Sequence, residues 1–214
     1  MDNKLAVKVC GMKDATNIAS LLQLPIDYIG LIFYERSPRF AGHVDPQIFD
    51  QYDVPKVGVF VDQAVEEIVE RQQAFQLDVI QLHGQESPAF CQEIKNKGLT
   101  VWKAFGVNAN FDFSLLDSYR EVVDLFLFDT KTPAHGGSGN TFDWDLLNQY
   151  NGNTPYLLSG GIGVDNLTTA LERKDSRMVG LDLNSKLEIN PGLKNIDLVQ
   201  KALKIIHHEP ISSR

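Results

Sequence analysis

The chain has 214 residues, 43% hydrophobic and 22% charged, which is enough apolar material for a full core and rules out a disordered chain. A formal charge of −8 argues against a nucleic-acid partner or an acidic membrane surface, because both ask for a net basic face. Cys10 and Cys91 stand far apart without metal-ligand spacing, and neither an apolar leader nor a run of membrane-spanning length is visible, so the expectation is a cytoplasmic protein without disulfides or structural zinc.

In chain order a short strand signal alternates with a longer helical one. Leu5 to Val9 precedes a helical pattern at Ala15 to Leu22, Tyr28 to Phe33 precedes Pro46 to Tyr52, and Val57 to Val61 precedes Ala64 to Phe75. Val79 to Leu82 precedes Pro88 to Asn96, Thr100 to Ala104 precedes Phe113 to Tyr119, and Leu125 to Phe128 precedes Trp144 to Tyr150. Tyr156 to Leu158 precedes Val164 to Glu172, and Met178 to Leu183 precedes Ile196 to Ile206. Eight such units predict a single-domain (β/α)8 barrel over residues 1–206, with a polar, mobile tail over 207–214. A doubly wound open sheet would alternate in the same way. Against it, Gly137-Ser-Gly139-Asn-Thr runs into Phe142 where a dinucleotide fingerprint needs its third glycine, and no Walker A lysine follows a glycine cluster.

The chemical residues fall at strand ends. They are Cys10-Gly11, Tyr34 to Arg39, Asp62, His83-Gly84, Asp129, Ser159-Gly160-Gly161, and Asp182 with Asn184-Ser185. In a barrel these ends form the catalytic face. Alternation puts Lys8 with Cys10, Gln81 with His83, and Asp182 with Asn184 on common sides of their strands, so all six converge if that side is the interior. Cys10 reads either as a small buried filler or, beside the ammonium of Lys8, as a thiol with a lowered pKa. His83 reads as structural or substrate-lining. Arg39, on the proline-stiffened Ser37-Pro38-Arg39-Phe40 loop, reads as a surface residue or as a fork for a carboxylate. Ser159-Gly160-Gly161 before a helix, completed by Asn184-Ser185, suits a phosphate cradle in the loops after strands seven and eight. Asp129 ends a buried strand, and Gly136, Gly137 and Gly139 give the following loop freedom to close over a ligand.

Lys8-Val-Cys10-Gly11, Phe33-Tyr34 with Ser37-Pro38-Arg39-Phe40, Val57-Gly-Val-Phe-Val61, Gln81-Leu-His83-Gly84, Asp129-Thr-Lys-Thr-Pro with Gly136-Gly-Ser-Gly, Phe142-Asp-Trp144, Leu158-Ser-Gly-Gly161, and Asp182-Leu-Asn-Ser185 with Pro191-Gly192 together resemble the phosphoribosylanthranilate isomerase family. The resemblance reaches to about the last helix and implies a (β/α)8 barrel. It implies the Amadori rearrangement of N-(5-phosphoribosyl)anthranilate to 1-(2-carboxyphenylamino)-1-deoxyribulose 5-phosphate in tryptophan biosynthesis. On it, Cys10 is the general base at C2 and Asp129 the general acid at the ring oxygen. Arg39 holds the anthranilate carboxylate, Asp182 is a supporting acid, and Gly160, Gly161, Asn184 and Ser185 hold the phosphate.

One acid and one base suffice for that chemistry, so no cofactor or metal is implied. The partner implied is the small phosphosugar substrate, and both monomer and homodimer fit the chain. Two departures stand out: Glu35-Arg36 occupies the place of a more usual proline-lysine pair, and Lys186 that of a glycine, so residue 186 has to keep an ordinary φ. Another phosphosugar isomerase or epimerase on the same barrel would keep the glycine cradle without the Cys10, Arg39 and Asp129 set. A non-catalytic phospholigand-binding barrel would need neither acid nor base.

Overall fold

The computed structural model describes residues 5–130, 141–173 and 175–207. Lys131, the loop with Gly136, Gly137 and Gly139, and the tail from 208 onward lie outside the described residues. Eight parallel strands close on themselves: β1 (Ala6–Cys10), β2 (Tyr28–Ile32), β3 (Lys56–Phe60), β4 (Val79–Leu82), β5 (Thr100–Val107), β6 (Leu125–Thr130), β7 (Tyr156–Leu158) and β8 (Met178–Leu183). The barrel read from the sequence is the barrel found.

The residues explain these elements locally. The strands are short apolar runs with both faces covered, as parallel sheets require. Helices α1 (Ala15–Leu21), α2 (Val65–Phe75), α3 (Pro88–Lys95), α4 (Leu167–Leu171) and, after the last strand, α5 (Ile196–Ile206) lie outside it. Three begin on a side chain that accepts from the exposed backbone: Asp14 from Asn17 N–H, Ser87 from Phe90 N–H and Asn195 from Leu198 N–H. In α5, Val199, Ala202, Leu203 and Ile206 recur at helical spacing and are buried. Among the described residues, no helix is long and apolar enough to cross a membrane.

Three expected helices are short 3-10 pieces instead, at Pro46–Phe49, Phe113–Tyr119 and Trp144–Gln149. Each starts on an aspartate, Asp45, Asp112 or Asp143, whose carboxylate accepts from the N–H two residues on, a tight turn that winds three residues per turn. The buried residues agree, since Leu116 and Tyr119, or Trp144 and Leu147, are three apart. A second departure is an antiparallel hairpin, β9 (Glu188–Asn190) and β10 (Leu193–Lys194), between β8 and α5, turned by Pro191 and by Gly192 at φ +86°.

Two cores result. Outward strand residues such as Val7, Ile29, Phe60, Ile80 and Phe126 pack against the helices, while Val57, Val79, Trp102, Ala104, Leu125, Leu127 and Leu157 fill the barrel interior. That interior plug ends below the C-terminal strand ends, where the inward side chains turn polar.

At the end where β8 begins, Arg177 donates from Nε and Nη2 to the two oxygens of Asp175 at 2.8 Å each, and Tyr156 donates its hydroxyl to the same carboxylate at 3.0 Å. The Arg177 hydrogen bonds hold the Asp175 carboxyl down at about 2. A depressed folded pKa stabilises above the unfolded value and stops doing so as pH falls through the folded one. The expected contribution is about 2 kcal/mol above pH 5, lost between about pH 4 and pH 2. Urea unfolding of the parent and Asp175→Asn should therefore differ near neutrality and converge at pH 2; a constant gap would place the effect in packing.

Candidate active site

The nine residues to which the sequence reading gave site roles line one cavity at the C-terminal end of the barrel: Cys10, Arg39, His83, Asp129, Gly160, Gly161, Asp182, Asn184 and Ser185, while Lys8, also expected to converge there, lies beneath it and Asp62 does not line it. Val59, Val61 and Ile32 supply its apolar wall.

Cys10 ends β1, and its strand partner is Gly30. That glycine is a steric necessity, since a Cβ there would stand 2.6 Å from the Cys10 sulfur. Beneath the thiol, Lys8 faces Asp182 across the β1–β8 seam and donates to it at 2.9 Å, with both side chains buried. Burial works against the Lys8 ammonium, but Asp182 and Cys10 outweigh it and Lys8 holds its proton more tightly than usual. Burial pushes the Asp182 carboxyl up while Lys8 opposes it; the 2.9 Å contact decides for an ion pair. Of the two readings of Cys10, its surroundings favour the buried thiol over the acidified one. Burial raises the thiol pKa, and Lys8, already engaged by Asp182, offsets that only in part.

Asp129 ends β6 across the barrel. Its Oδ1 accepts from Thr130 N–H at 2.7 Å, and its Oδ2 lies 3.4 Å from His83 Nε2. Gly160, at φ +88°, passes so close that a Cβ would meet Thr130 Oγ1 at 2.3 Å and Asp129 Oδ1 at 2.8 Å. Asp182 Oδ2 also accepts from Ser159 Oγ at 3.4 Å, so the two acidic strand ends are neighbours through the seventh loop.

Arg39 is buried, not a surface residue. Its fork, expected to be open for a ligand carboxylate, is occupied by Glu188: Nε donates at 2.9 and 3.1 Å and Nη2 at 2.7 Å. Glu188 also accepts from buried Lys194 Nζ at 2.6 Å and from Gly192 N–H at 3.0 Å. Burial opposes the Glu188 carboxylate, yet Arg39 and Lys194 bring its pKa below the usual value. Burial lowers Lys194 despite Glu188. Neither Glu188 nor Lys194 was singled out in the sequence, where only Pro191-Gly192 between them entered the resemblance.

Lys194 does a second task. Its Nζ donates to Asn184 Oδ1 at 2.9 Å, which fixes that amide and leaves the Asn184 NH2 as a donor. Beside it, Gly160 and Gly161 take consecutive positive φ angles, +88° and +63°, which favour glycine at both positions. Lys186 keeps to the ordinary backbone of the 3-10 turn Ser185–Leu187, and its stem fills the space over Gly163, where a Cβ would meet Lys186 Cβ at 2.9 Å.

A closed parallel barrel that gathers a thiol, two carboxylates, an imidazole and a guanidinium over one cavity defines a barrel enzyme acting on a small polar molecule. A family model described as N-(5'phosphoribosyl)anthranilate (PRA) isomerase matches residues 7–205. The N-(5'-phosphoribosyl)anthranilate isomerase of Parabacteroides distasonis is 42% identical over 98% of this chain and 96% of its own. The crystal structure of the Thermotoga maritima enzyme superposes with a TM-score of 0.85 at 33% identity, covering 95% of this chain and 99% of that one. A phosphoribosyl anthranilate isomerase in complex with reduced 1-(o-carboxyphenylamino)-1-deoxyribulose 5-phosphate gives 0.80 at 29% identity, over 95% and 99%. The chain belongs to the N-(5'-phosphoribosyl)anthranilate isomerase family.

Since Gly30 makes the space in which the Cys10 sulfur sits, Gly30→Ala should displace the thiol. The expected loss in kcat is about 10²-fold, the scale of a 1 Å misplacement, with a native circular dichroism spectrum. The same substitution added to Cys10→Ala should cost little more. Full additivity of the two losses would show that Gly30 acts elsewhere.

Proposed function

We propose that Cys10 and Asp129 divide the proton transfers of the family's reaction, with Arg39 and the glycine loops fixing the two ends of the substrate. The reaction is the Amadori rearrangement of N-(5-phosphoribosyl)anthranilate to 1-(2-carboxyphenylamino)-1-deoxyribulose 5-phosphate in tryptophan biosynthesis. The observation that carries the residue assignment is that a thiol on β1 and a carboxyl on β6 face one cavity between an arginine and a pair of left-handed glycines.

Asp129 gives its proton to the ring oxygen as the C1–O bond breaks, and the aniline nitrogen's electrons form the iminium. The cationic iminium acidifies C2, Cys10 thiolate takes that proton, and the bond electrons become the C1–C2 double bond of the enolamine. A proton added at C1 and one lost from the C2 hydroxyl complete the ketone. Burial keeps Cys10 a thiol at rest, so its base form arises in the complex, where the iminium charge and Lys8 both favour a thiolate. The phosphate is met by N–H groups of Gly160 and Gly161, the Asn184 amide and the Ser185 hydroxyl. A thiol base also needs a reducing compartment, which supports a cytoplasmic location.

Removing either proton partner should lower kcat by on the order of a hundredfold or more in Cys10→Ala and Asp129→Asn, measured by the fluorescence decay of phosphoribosylanthranilate. Near-normal turnover in one variant would strike that residue from the mechanism.

With Glu188 on Nε and Nη2, the anthranilate carboxylate is read by the remaining Nη1 edge of a guanidinium locked in place. Lysine cannot keep both contacts. Arg39→Lys is expected to lose about 1–3 kcal/mol in kcat/KM, and competitive carboxylate-bearing anilines should weaken in parallel. Unchanged inhibitor binding would assign the carboxylate to another group.

A further inference from the structure

Gln81 sits inside the barrel on β4, 1% exposed, directly beneath the cavity that it lines. Its strand neighbours at that level are Val59 and Trp102, so an amide here interrupts an apolar interior and has to be explained. Its Nε2 lies 3.0 Å from Nδ1 of His83, two residues on and on the same face; its Oε1 has no partner among the described residues. The other imidazole nitrogen faces Asp129 Oδ2 at 3.4 Å.

The backbone around that ring is held firmly. His83 N–H donates to Phe60 O at 2.8 Å, and Gly84 N–H donates to the buried Glu86 carboxylate at 2.9 and 3.1 Å. Glu86 is in turn paired with buried Lys103 at 3.2 Å and accepts from Asp62 N–H at 2.9 Å. With the turn fixed, the proton on the ring is the freedom that remains.

An amide NH2 only donates, so Nδ1 has to accept, and the His83 proton belongs on Nε2, pointing at Asp129. We infer that Gln81 is a positioning residue for the acid: it fixes His83 as the Nε2–H tautomer, so that this N–H, 3.4 Å from Asp129 Oδ2, faces the carboxylate whose Oδ1 accepts from Thr130 N–H. The inference rests on the reading of Asp129 as the acid. Those donors matter when the proton leaves, because they meet the negative charge that develops on the carboxylate without having to reorganise.

The test is the nitrogen-15 spectrum of the His83 imidazole, assigned by its loss in His83→Asn, together with kcat in two Gln81 variants. The parent should show the proton on Nε2. Gln81→Glu supplies an acceptor to Nδ1 and should add a proton there, lowering kcat about tenfold or more while KM stays within about twofold. Gln81→Met, isosteric and apolar, should lose the tautomer preference and fall between the two. A proton found on Nδ1 in the parent overturns the inference at once, even if neither variant folds. Variants whose spectra and kcat both match the parent overturn it as well. Full turnover in Asp129→Asn with an Nε2–H His83 would instead sink the acid assignment and leave the tautomer standing.

Discussion

Closing a parallel sheet into a barrel brings its first and last strands together, and here the seam is pinned by one buried ion pair, Lys8 with Asp182, in direct register across β1 and β8. A buried pair adds little net stability over apolar residues of the same shape, because both charges must be desolvated. Breaking it is another matter. Removal of one partner leaves an uncompensated charge, at a cost of about 3–5 kcal/mol, so the pair acts as a register device that rejects any other alignment of the seam. Much of the cavity is referenced to it: Cys10 is two residues beyond Lys8, Asn184 two beyond Asp182, and Ser159 reaches back to the Asp182 carboxylate.

Around that seam the cavity is made by small residues where backbone or sulfur approaches. Gly30 yields space to the thiol, Gly11 to Arg39 and Asn184, and Gly160 to Asp129 and Thr130. Charged groups then come in mutually restrained sets: Lys8 with Asp182, Arg39 with Glu188 and Lys194, Lys103 with Glu86. Each set fixes a side chain that would otherwise lose rotamer entropy on meeting a ligand, so the ordering is done at folding and not at binding.

The barrel was legible in the sequence because a buried parallel strand is a short continuous apolar run, and eight of those, each ending at a polar residue or glycine, leave few alternatives. The nine cavity residues were legible for the same reason, as strand ends carry the chemistry. What escaped depends on groups distant in sequence. Arg39 and Glu188 are 149 positions apart, and nothing local in either loop marks the other. The 3-10 pieces escaped because a four- to seven-residue window cannot separate a period of 3.0 from 3.6; the aspartates at 45, 112 and 143 were the available signal. The choice between the two readings of Cys10 could not be made in the sequence, because proximity of an ammonium is visible in the spacing, whereas burial, and the carboxylate that already holds that ammonium, are not.

A chain of net charge −8 that takes a substrate with a phosphate and a carboxylate faces long-range repulsion. At physiological ionic strength that field decays over about 8 Å, so the balance is decided by the few groups lining the cavity. Lys8 is neutralised by Asp182, and of Arg39, Glu188 and Lys194 one positive charge remains uncancelled at the wall. On the proposed reading the phosphate is met instead by neutral donors, the glycine N–H groups and the Asn184 amide that Lys194 orients from behind. Such an arrangement separates the two anionic ends of the substrate by chemistry: a guanidinium suits the planar carboxylate, while backbone N–H groups wrap a tetrahedral phosphate. With the ends told apart in this way, the proposed reading gives the sugar carbons between them one direction, C2 toward the thiol on β1 and the ring oxygen toward the carboxyl on β6.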